Sequence, residues 1–249
     1  MKAIILAAGF ATRLYPLTLH QPKPLLDIGG RPMLSWLVDK ILEVGEIDEI
    51  VVIGNERFHS QFLEWRDSYA SSLPIQILND GSTTDDNKLG AIGDMNFAMR
   101  QVNDGEDMLI VAGDNLLEFS LVPYFEKFQS VREPLILLRE IQEIGRRSRY
   151  NEVMVDDEGV VTSFREKPED PKSNLVAICL YFFPAEVKQR ISEYLSGGNN
   201  PDAPGYFIQW LVRQVRVRAA KFEGQWFDIG NFQTLEEARA RYSQQASNR

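Results

Sequence analysis

The sequence predicts an α/β protein built on a mostly parallel sheet with helices on both faces, and three observations carry that prediction. Its strands read as apolar runs: Ala3–Leu6, Ile50–Ile53 and Met108–Val111 are unbroken, and Ile75–Leu78 is interrupted only by Gln76. Runs without polar alternation belong to strands buried on both faces, as in parallel sheets. Segments of helical spacing alternate with them. Finally, the first run empties into the small-residue loop Ala7-Ala8-Gly9-Phe10-Ala11-Thr12, at the strand end where such sheets take their ligands.

Each element follows in order. Leu25–Ile28 is a short extended piece turned by Gly29-Gly30, and Pro32 suits the first turn of a helix. Leu34, Leu37, Val38, Ile41 and Leu42 recur at helical spacing before Gly45. Phe58, Phe62, Trp65 and Tyr69 mark a second helical face, and a polar loop, Asn79–Lys88, follows the third strand. Leu89–Met99 reads as a helix, and the fourth strand ends in Ala112-Gly113-Asp114-Asn115. Ser120 can cap a helix carrying Leu121, Phe125 and Phe128. Leu135–Leu138 is a strand. Val153–Val155 and Val160–Phe164, around Asp157-Glu158-Gly159, read as a β-hairpin. Leu175–Phe183 is a long apolar strand, with helices near 185–195 and 206–214 and a strand near Val215–Phe222. Thr234 with Glu237 has the pattern of a capping box opening a last helix.

At 249 residues, with no linker or repeat, the chain reads as one domain. Within it two halves, about 1–130 and about 131–232, are followed by a terminal helix, 234–246. The net charge of −9 argues against non-specific nucleic-acid binding, which needs a basic face. Asp85-Asp86 reads as a solvated loop. The single cysteine, Cys179, excludes an intrachain disulfide, and its apolar neighbours make it a buried packing residue. Two distant histidines, His20 and His59, support neither a zinc site nor a His-paired nucleophile. The opening run is too short for a signal peptide, and no run is long enough to span a membrane, so a cytoplasmic protein is expected.

Four clusters carry chemistry. The opening loop, with Arg13 and Lys23 behind it, can cradle a phosphate with backbone N–H groups and two cations. Asp114, at a strand end facing that loop, would repel a polyphosphate without a cation. Mg²⁺ resolves the conflict, because one or two carboxylates and phosphate oxygens hold it. Arg165-Glu166-Lys167-Pro168 directly follows a hairpin strand, where Lys can hold a phosphate and Glu can accept from hydroxyls. In Trp226-Phe227-Asp228-Ile229-Gly230, an acid between apolar residues needs a partner or a metal, which makes Asp228 the mate of Asp114.

Together, the opening signature with Pro22-Lys23-Pro24-Leu25-Leu26, Gly113-Asp114-Asn115, the FREKPEDPKSN stretch, the LYFF strand and the WFDIGN segment resemble the sugar-1-phosphate nucleotidyltransferase family. The resemblance covers nearly the whole chain and includes the glucose-1-phosphate thymidylyl- and uridylyltransferases. It implies a three-layer α/β/α sandwich of the nucleotide-diphospho-sugar transferase, Rossmann-like type. The implied reaction joins an NTP and a sugar 1-phosphate to give an NDP-sugar and pyrophosphate, for nucleotide-sugar and polysaccharide biosynthesis. Arg13 and Lys23 would be catalytic. Leu6, Ala8, Gly9, Ala11, Thr12, Asn79, Asn87, Gly90 and Asp114, with the two cations, would bind nucleotide. Asn115, Asn151, Glu166, Lys167 and Asn174 would bind the sugar phosphate, and Asp114 and Asp228 would hold Mg²⁺.

The chain departs from the family pattern at several positions. Ala11 stands where a second Gly is usual, Asn151 follows Tyr150 in place of Gly, and Cys179 replaces a Gly before the LYFF strand. The Asn79 loop with Asn87-Lys88-Leu89-Gly90 looks more like the cytidylyltransferases for polyol phosphate or phosphocholine, which stand as the alternative reading. A catalytically silent nucleotide-sugar-binding subunit should have lost Arg13, Lys23 or an aspartate, and a glycosyltransferase fits the EKP pattern poorly. No membrane or nucleic-acid partner is implied, and a homo-oligomer remains open.

Overall fold

The computed structural model describes residues 1–103, 105–142 and 150–247, the side chains of 244–247 excepted. The main sheet has seven strands. In chain order they are β1 (Lys2–Leu6), β4 (Glu49–Gly54), β5 (Ile75–Asn79), β6 (Met108–Ala112), β8 (Leu135–Glu140), β11 (Leu175–Phe183) and β12 (Arg218–Lys221), and they lie side by side as β12-β8-β11-β6-β1-β4-β5. β4 pairs with β5, and β8 with β12, in parallel; β11 is antiparallel to both its neighbours. This is the mostly parallel α/β class that the apolar runs predict. Ile50, Val52, Leu109, Ile110, Ile136 and Leu137 are fully buried, as strands covered on both faces require. Among the described residues, no helix is long and apolar enough to cross a membrane.

The chain forms two compact units, each interleaved along the sequence. One comprises Ala3–Lys88, Ala112–Leu121 and Gly224–Arg249. Within it a two-strand hairpin, β2 (Asp27–Ile28) with β3 (Arg31–Pro32), precedes α1 (Met33–Leu42). Pro32 therefore sits in the hairpin with extended backbone, one residue before the helix it was expected to open. α1 buries Met33, Leu34, Leu37, Val38 and Ile41 and stops at Leu42, before Gly45. α2 (His59–Ser68) buries Phe62 and Trp65, and the Trp65 Nε1–H donates to Ser35 Oγ at 2.9 Å.

A small ribbon that the sequence pattern did not signal completes this unit. β7 (Asn115–Leu117) pairs antiparallel with β13 (Trp226–Asp228), placing Asp228 opposite Asn115. Helix α7 (Phe232–Ser247) then packs Leu235, Ala238 and Tyr242 into a cluster with Leu116, Ile229, Ile28 and Met33. Burying a side chain of Leu or Ile size stabilises by about 1.5–3 kcal/mol. Ile229, with no exposed surface, thus offsets much of the burden of burying the neighbouring Asp228. The cap of α7 is Asn231, whose Oδ1 accepts from the Thr234 N–H at 3.0 Å; Thr234 Oγ1 instead accepts from the Gly230 and Asn231 N–H groups. The expected Thr234–Glu237 capping box is therefore corrected: the cap falls on Asn231, three residues before Thr234.

The second unit comprises Met1–Lys2, Leu89–Val111 and Val122–Glu223. It holds α3 (Ala91–Met99), α4 (Val122–Val131), α5 (Val187–Ser196), α6 (Pro204–Leu211) and the antiparallel hairpin β9 (Glu152–Val155) with β10 (Val161–Arg165). α4 starts at Val122, beyond Ser120, so Leu121 lies outside the helix it was assigned to. α3 starts after Gly90, which has φ +78°. A Cβ there would lie 2.6 Å from the Pro201 carbonyl oxygen, so only glycine fits, and Leu89 stays outside the helix. Cys179 is half-buried rather than buried, and it is hydrogen-bonded to the fully buried Tyr181.

Candidate nucleotide, metal and sugar-phosphate sites

In the first unit, the loop after β1 is anchored from several sides. The Ala7 N–H donates to Ile53 O at 2.9 Å, and the buried Asn55 donates from Nδ2 to Ala8 O at 2.8 Å while its Oδ1 caps Phe58 N–H. Gly9 is exposed, and a Cβ on it would meet nothing within 4 Å, so the loop is open on that side. Ala11 has φ 49° and ψ 44°, the left-handed conformation that disfavours any residue with a Cβ. Its carbonyl accepts from Leu14 N–H at 2.9 Å and from the buried Thr18 Oγ1 at 2.9 Å. These two bonds hold the strained residue in place and end in the short 3₁₀ turn Thr12–Leu14 that presents Arg13. Arg13 is exposed and makes no hydrogen bond or salt bridge among the described residues.

Lys23 lies between two buried prolines, Pro22 and Pro24, in a second 3₁₀ turn. Its Nζ is 2.5 Å from Asp114 Oδ2. Asp114 gets there because Gly113 lets the chain run against the loop. The Gly113 N–H donates to Leu6 O at 2.8 Å, and a Cβ on Gly113 would lie 3.0 Å from that oxygen and 3.2 Å from Pro24 Cγ. The β7–β13 ribbon brings Asp228 alongside, and the Ile229 N–H donates to Asp114 O at 3.2 Å. Burial, then the facing Asp114 carboxylate, push the Asp228 carboxyl up to about 6, against the pull of Lys23 and Arg13. A Cβ built on Gly230 would lie 3.7 Å from Arg13 Nη1 and 3.9 Å from Asp228 Oδ2, so Arg13 and Asp228 flank the same small gap. Four of the residues singled out in the sequence are thus brought together.

Two acids do not cage a metal by themselves, and no group of three or more metal-ligating side chains occurs among the described residues. The donor set nevertheless fits Mg²⁺, which binds through one or two carboxylates and completes its shell with water and phosphate oxygens. The Asp228 carboxyl, raised first by burial, also feels the facing Asp114 carboxylate.

Other expected nucleotide contacts are engaged elsewhere. Asn79 Nδ2 donates to Glu56 Oε2, and Asn79 Oδ1 accepts from Gly81 N–H at 2.8 Å. Asn87 Oδ1 accepts from Thr83 N–H at 3.0 Å and Thr84 N–H at 2.9 Å, closing a capping box inside the loop. Asn115, expected at the sugar phosphate, is buried, and its Oδ1 accepts from Trp226 Nε1–H at 2.8 Å, so it ties the ribbon together.

In the second unit, the turn after β10 carries Glu166 and Lys167. The Glu166 side chain is 7% exposed, its Oε2 has no hydrogen-bond partner, and Lys167 Nζ stands 4.0 Å from Oε1. Burial pushes its carboxyl above the usual value, with Lys167 opposing. The space for it is made by Gly205 of α6: a Cβ there would lie 1.8 Å from Glu166 Oε2. The Glu166 N–H donates to Gln209 Oε1 at 2.9 Å. Lys167 has φ 46°, again left-handed, and its side chain is half-exposed. Asn151 mimics a strand residue, donating from Nδ2 to Ala177 O at 2.9 Å and accepting from Ala177 N–H at 2.6 Å. Asn174 Nδ2 donates to Glu140 Oε1 at 2.5 Å. Sequence reasoning missed Asn55 and Gly205, which shape the sites without any motif of their own; Thr18 belongs to the Pro16-Leu17-Thr18 part of the opening signature, and its bond to Ala11 O gives it a place there.

The strand-end loop of an α/β sheet thus sets two cations beside two acids, at the rim where such sheets take their ligands. The chain belongs to the nucleotidyl transferase family, whose model matches residues 2–245. It is 26% identical over 250 residues to UTP–glucose-1-phosphate uridylyltransferase AglF of Haloferax volcanii, covering 99% of this chain and 98% of that one. It is 28% identical over 234 residues to the mannose-1-phosphate guanylyltransferase catalytic subunit beta of Dictyostelium discoideum, covering 92% of this chain and 61% of that one. It spans only 51% of the bifunctional protein GlmU of Methanocaldococcus jannaschii, at 26% identity. A UDP-glucose pyrophosphorylase solved with UDP-glucose shares the fold at a TM-score of 0.83 and 20% identity, covering 98% of each chain. The UTP-bound UGPase of Acinetobacter baumannii does so at a TM-score of 0.80 and 19% identity, covering 97% of this chain and 92% of that one.

Proposed function

We propose that this protein transfers a nucleotidyl group from an NTP to a sugar 1-phosphate, releasing pyrophosphate. The observation that carries this reading is the convergence of Arg13, Lys23, Asp114 and Asp228 at the opening loop of a nucleotidyl transferase. A phosphate oxygen of the sugar phosphate attacks the α-phosphorus, a new P–O bond forms, and the bond to the pyrophosphate oxygen breaks. Both reactants are anionic, so positioning and charge neutralisation carry the catalysis, and no side-chain nucleophile is required.

In this reading Gly9, Ala11 and Thr12 offer backbone N–H groups to the triphosphate. Arg13, which makes no hydrogen bond or salt bridge among the described residues, binds the departing pyrophosphate. Lys23 exchanges Asp114 for the α-phosphate. Asp114 and Asp228 would hold Mg²⁺, which, when bound, neutralises charge on the transferring phosphate. Lys167 holds the phosphate of the sugar phosphate, and Glu166 accepts hydrogen bonds from its hydroxyls. NTP dependence carries with it a cytoplasmic setting and a role in supplying activated sugars to glycan-building transferases.

The test is pyrophosphate release with Mg²⁺, each of the four NTPs, and a panel of hexose, polyol and choline phosphates. Release with one NTP and a hexose 1-phosphate is expected. Release only with CTP and a polyol or choline phosphate would replace this reading with the cytidylyltransferase alternative, and release with no pair would refute both.

A further inference from the structure

The turn that bears Glu166 and Lys167 is closed by one buried acid. Glu152 opens β9 opposite Arg165, the last residue of β10, and its side chain is 2% exposed. Its Oε2 accepts from Arg165 Nε–H at 2.6 Å, with Arg165 Nη2 at 2.5 Å. Its Oε1 accepts from Ser173 N–H at 2.6 Å and from Lys172 N–H. The outer edge of the same guanidinium donates to Asp170 Oδ1 at 3.0 Å and to Asp170 O at 2.9 Å. Burial pushes the Glu152 carboxyl up, but the bonds from Ser173, Arg165 and Lys172 outweigh it and hold it below the ordinary value.

Residues 165 and 172–173 are therefore pinned to one carboxylate, with Asp170 braced between them. The segment so closed begins with Glu166 and with Lys167 in a left-handed conformation. That conformation costs a residue with a Cβ roughly 1–2 kcal/mol and persists only where the surroundings over-determine it. A buried ion pair is commonly no more stabilising than apolar residues of the same volume. What this one adds is position: without it, the hydrogen bond described from residues 166–171 to another part of the unit is that of the Glu166 N–H to Gln209, beside the packing of Glu166 against Gly205.

We infer that Glu152 and Arg165 are positioning residues that set Glu166 and Lys167 for the sugar phosphate. This rests on the preceding reading of Glu166 and Lys167 as ligands of that substrate.

The experiment compares Glu152→Gln, Arg165→Met and Arg165→Lys with Glu166→Gln and Lys167→Ala, measuring KM for each substrate, kcat, and amide hydrogen exchange across 166–173. Glu152→Gln and Arg165→Met are expected to raise KM for the sugar phosphate at least tenfold, leave KM for the NTP within twofold, and speed exchange in 166–173. Arg165→Lys, which keeps the charge but loses the fork, should fall between. If Glu152→Gln does not fold, the double variant E152M/R165M removes both charges together and carries the same readouts. Glu166→Gln and Lys167→Ala variants with unchanged sugar-phosphate KM would refute the ligand reading. If those two raise it while the Glu152 and Arg165 variants move both KM values alike, or neither, the positioning role is overturned.

Discussion

Lys23 Nζ lies 2.5 Å from Asp114 Oδ2, joining residues 91 positions apart in the chain. The lysine thus pairs with an oxygen that a divalent cation would use in the proposed reaction. Removing it should tighten metal binding while harming catalysis. Lys23→Ala is expected to bind Mn²⁺ about fivefold more tightly without nucleotide, the scale of a partly exposed ion pair near 1 kcal/mol. Its kcat should fall. Calorimetric titration checks the first effect, and weaker or equal metal binding would contradict the competition.

Asp228 makes stability depend on pH. Its folded-state value of about 6 exceeds the ordinary 3.8, so the native protein holds that proton more tightly than the unfolded chain. Its contribution is therefore full below the unfolded value and is lost as pH rises through about 6. Asp228→Asn should stabilise the metal-free protein at pH 7 by up to about 3 kcal/mol, with the gain vanishing toward pH 4. Urea unfolding across that range gives the answer. Thermal stabilisation by Mg²⁺ should shrink in the same variant.

Arg13 has no protein partner among the described residues, so its loss should be felt in turnover and hardly in folding. Arg13→Ala is expected to lower kcat by roughly 10²–10³, the scale of losing one charge-stabilising donor. Arg13→Lys should rescue it poorly, because an ammonium cannot offer the planar fork. Steady-state kinetics beside a melting curve separates the two effects.

Ala11 carries strain that glycine would relieve. Ala11→Gly removes roughly 1–2 kcal/mol of left-handed penalty and adds roughly 0.5–1 kcal/mol of unfolded-state entropy. The balance predicts equal or slightly greater stability, the reverse of the usual sign for this exchange. Chemical denaturation decides, and a clear loss would show that the penalty at this position is small.

Gly205 should be as intolerant as any ligand residue. Gly205→Ala places a methyl group where Glu166 Oε2 now lies, so the carboxylate must turn away. KM for the sugar phosphate should rise while KM for the NTP stays put. Equal KM values in variant and parent would mean that the Glu166 carboxylate does not contribute to binding.

Much of the fold was legible because it follows from local pattern. Apolar runs marked the strands, and small residues marked the loop at the end of β1. Asp228 was legible because an acid set against apolar neighbours asks for a partner, and Asp114 because it ends a strand facing the phosphate loop. The β7–β13 ribbon was not, since three residues are too few for any period to register. The capping of α7 went to Asn231 because the chain turns there to seat Ile229, and that tertiary demand outranks the Thr-x-x-Glu pattern. Asn55 and Thr18 hold the opening loop through Ala8 O and Ala11 O, and Glu152 gathers Arg165, Lys172 and Ser173, and none of these bonds leaves a trace in spacing. Ala11 is the instructive case. It stood out only against the family pattern, and its backbone took the conformation that the missing glycine would have favoured.

The order in which the site is assembled has a consequence for synthesis. Its parts come from Ala3–Lys88, then Ala112–Leu121, then the segment from Gly224 onward. A nascent chain emerging from the ribosome exposes the small-residue loop and both cations early, and Asp114 then arrives to neutralise Lys23. The second acid follows only with β13, after the whole other unit has been translated. A growing or prematurely terminated chain should therefore be inert toward metal and nucleotide rather than half-active, with competence switched on in a single late step.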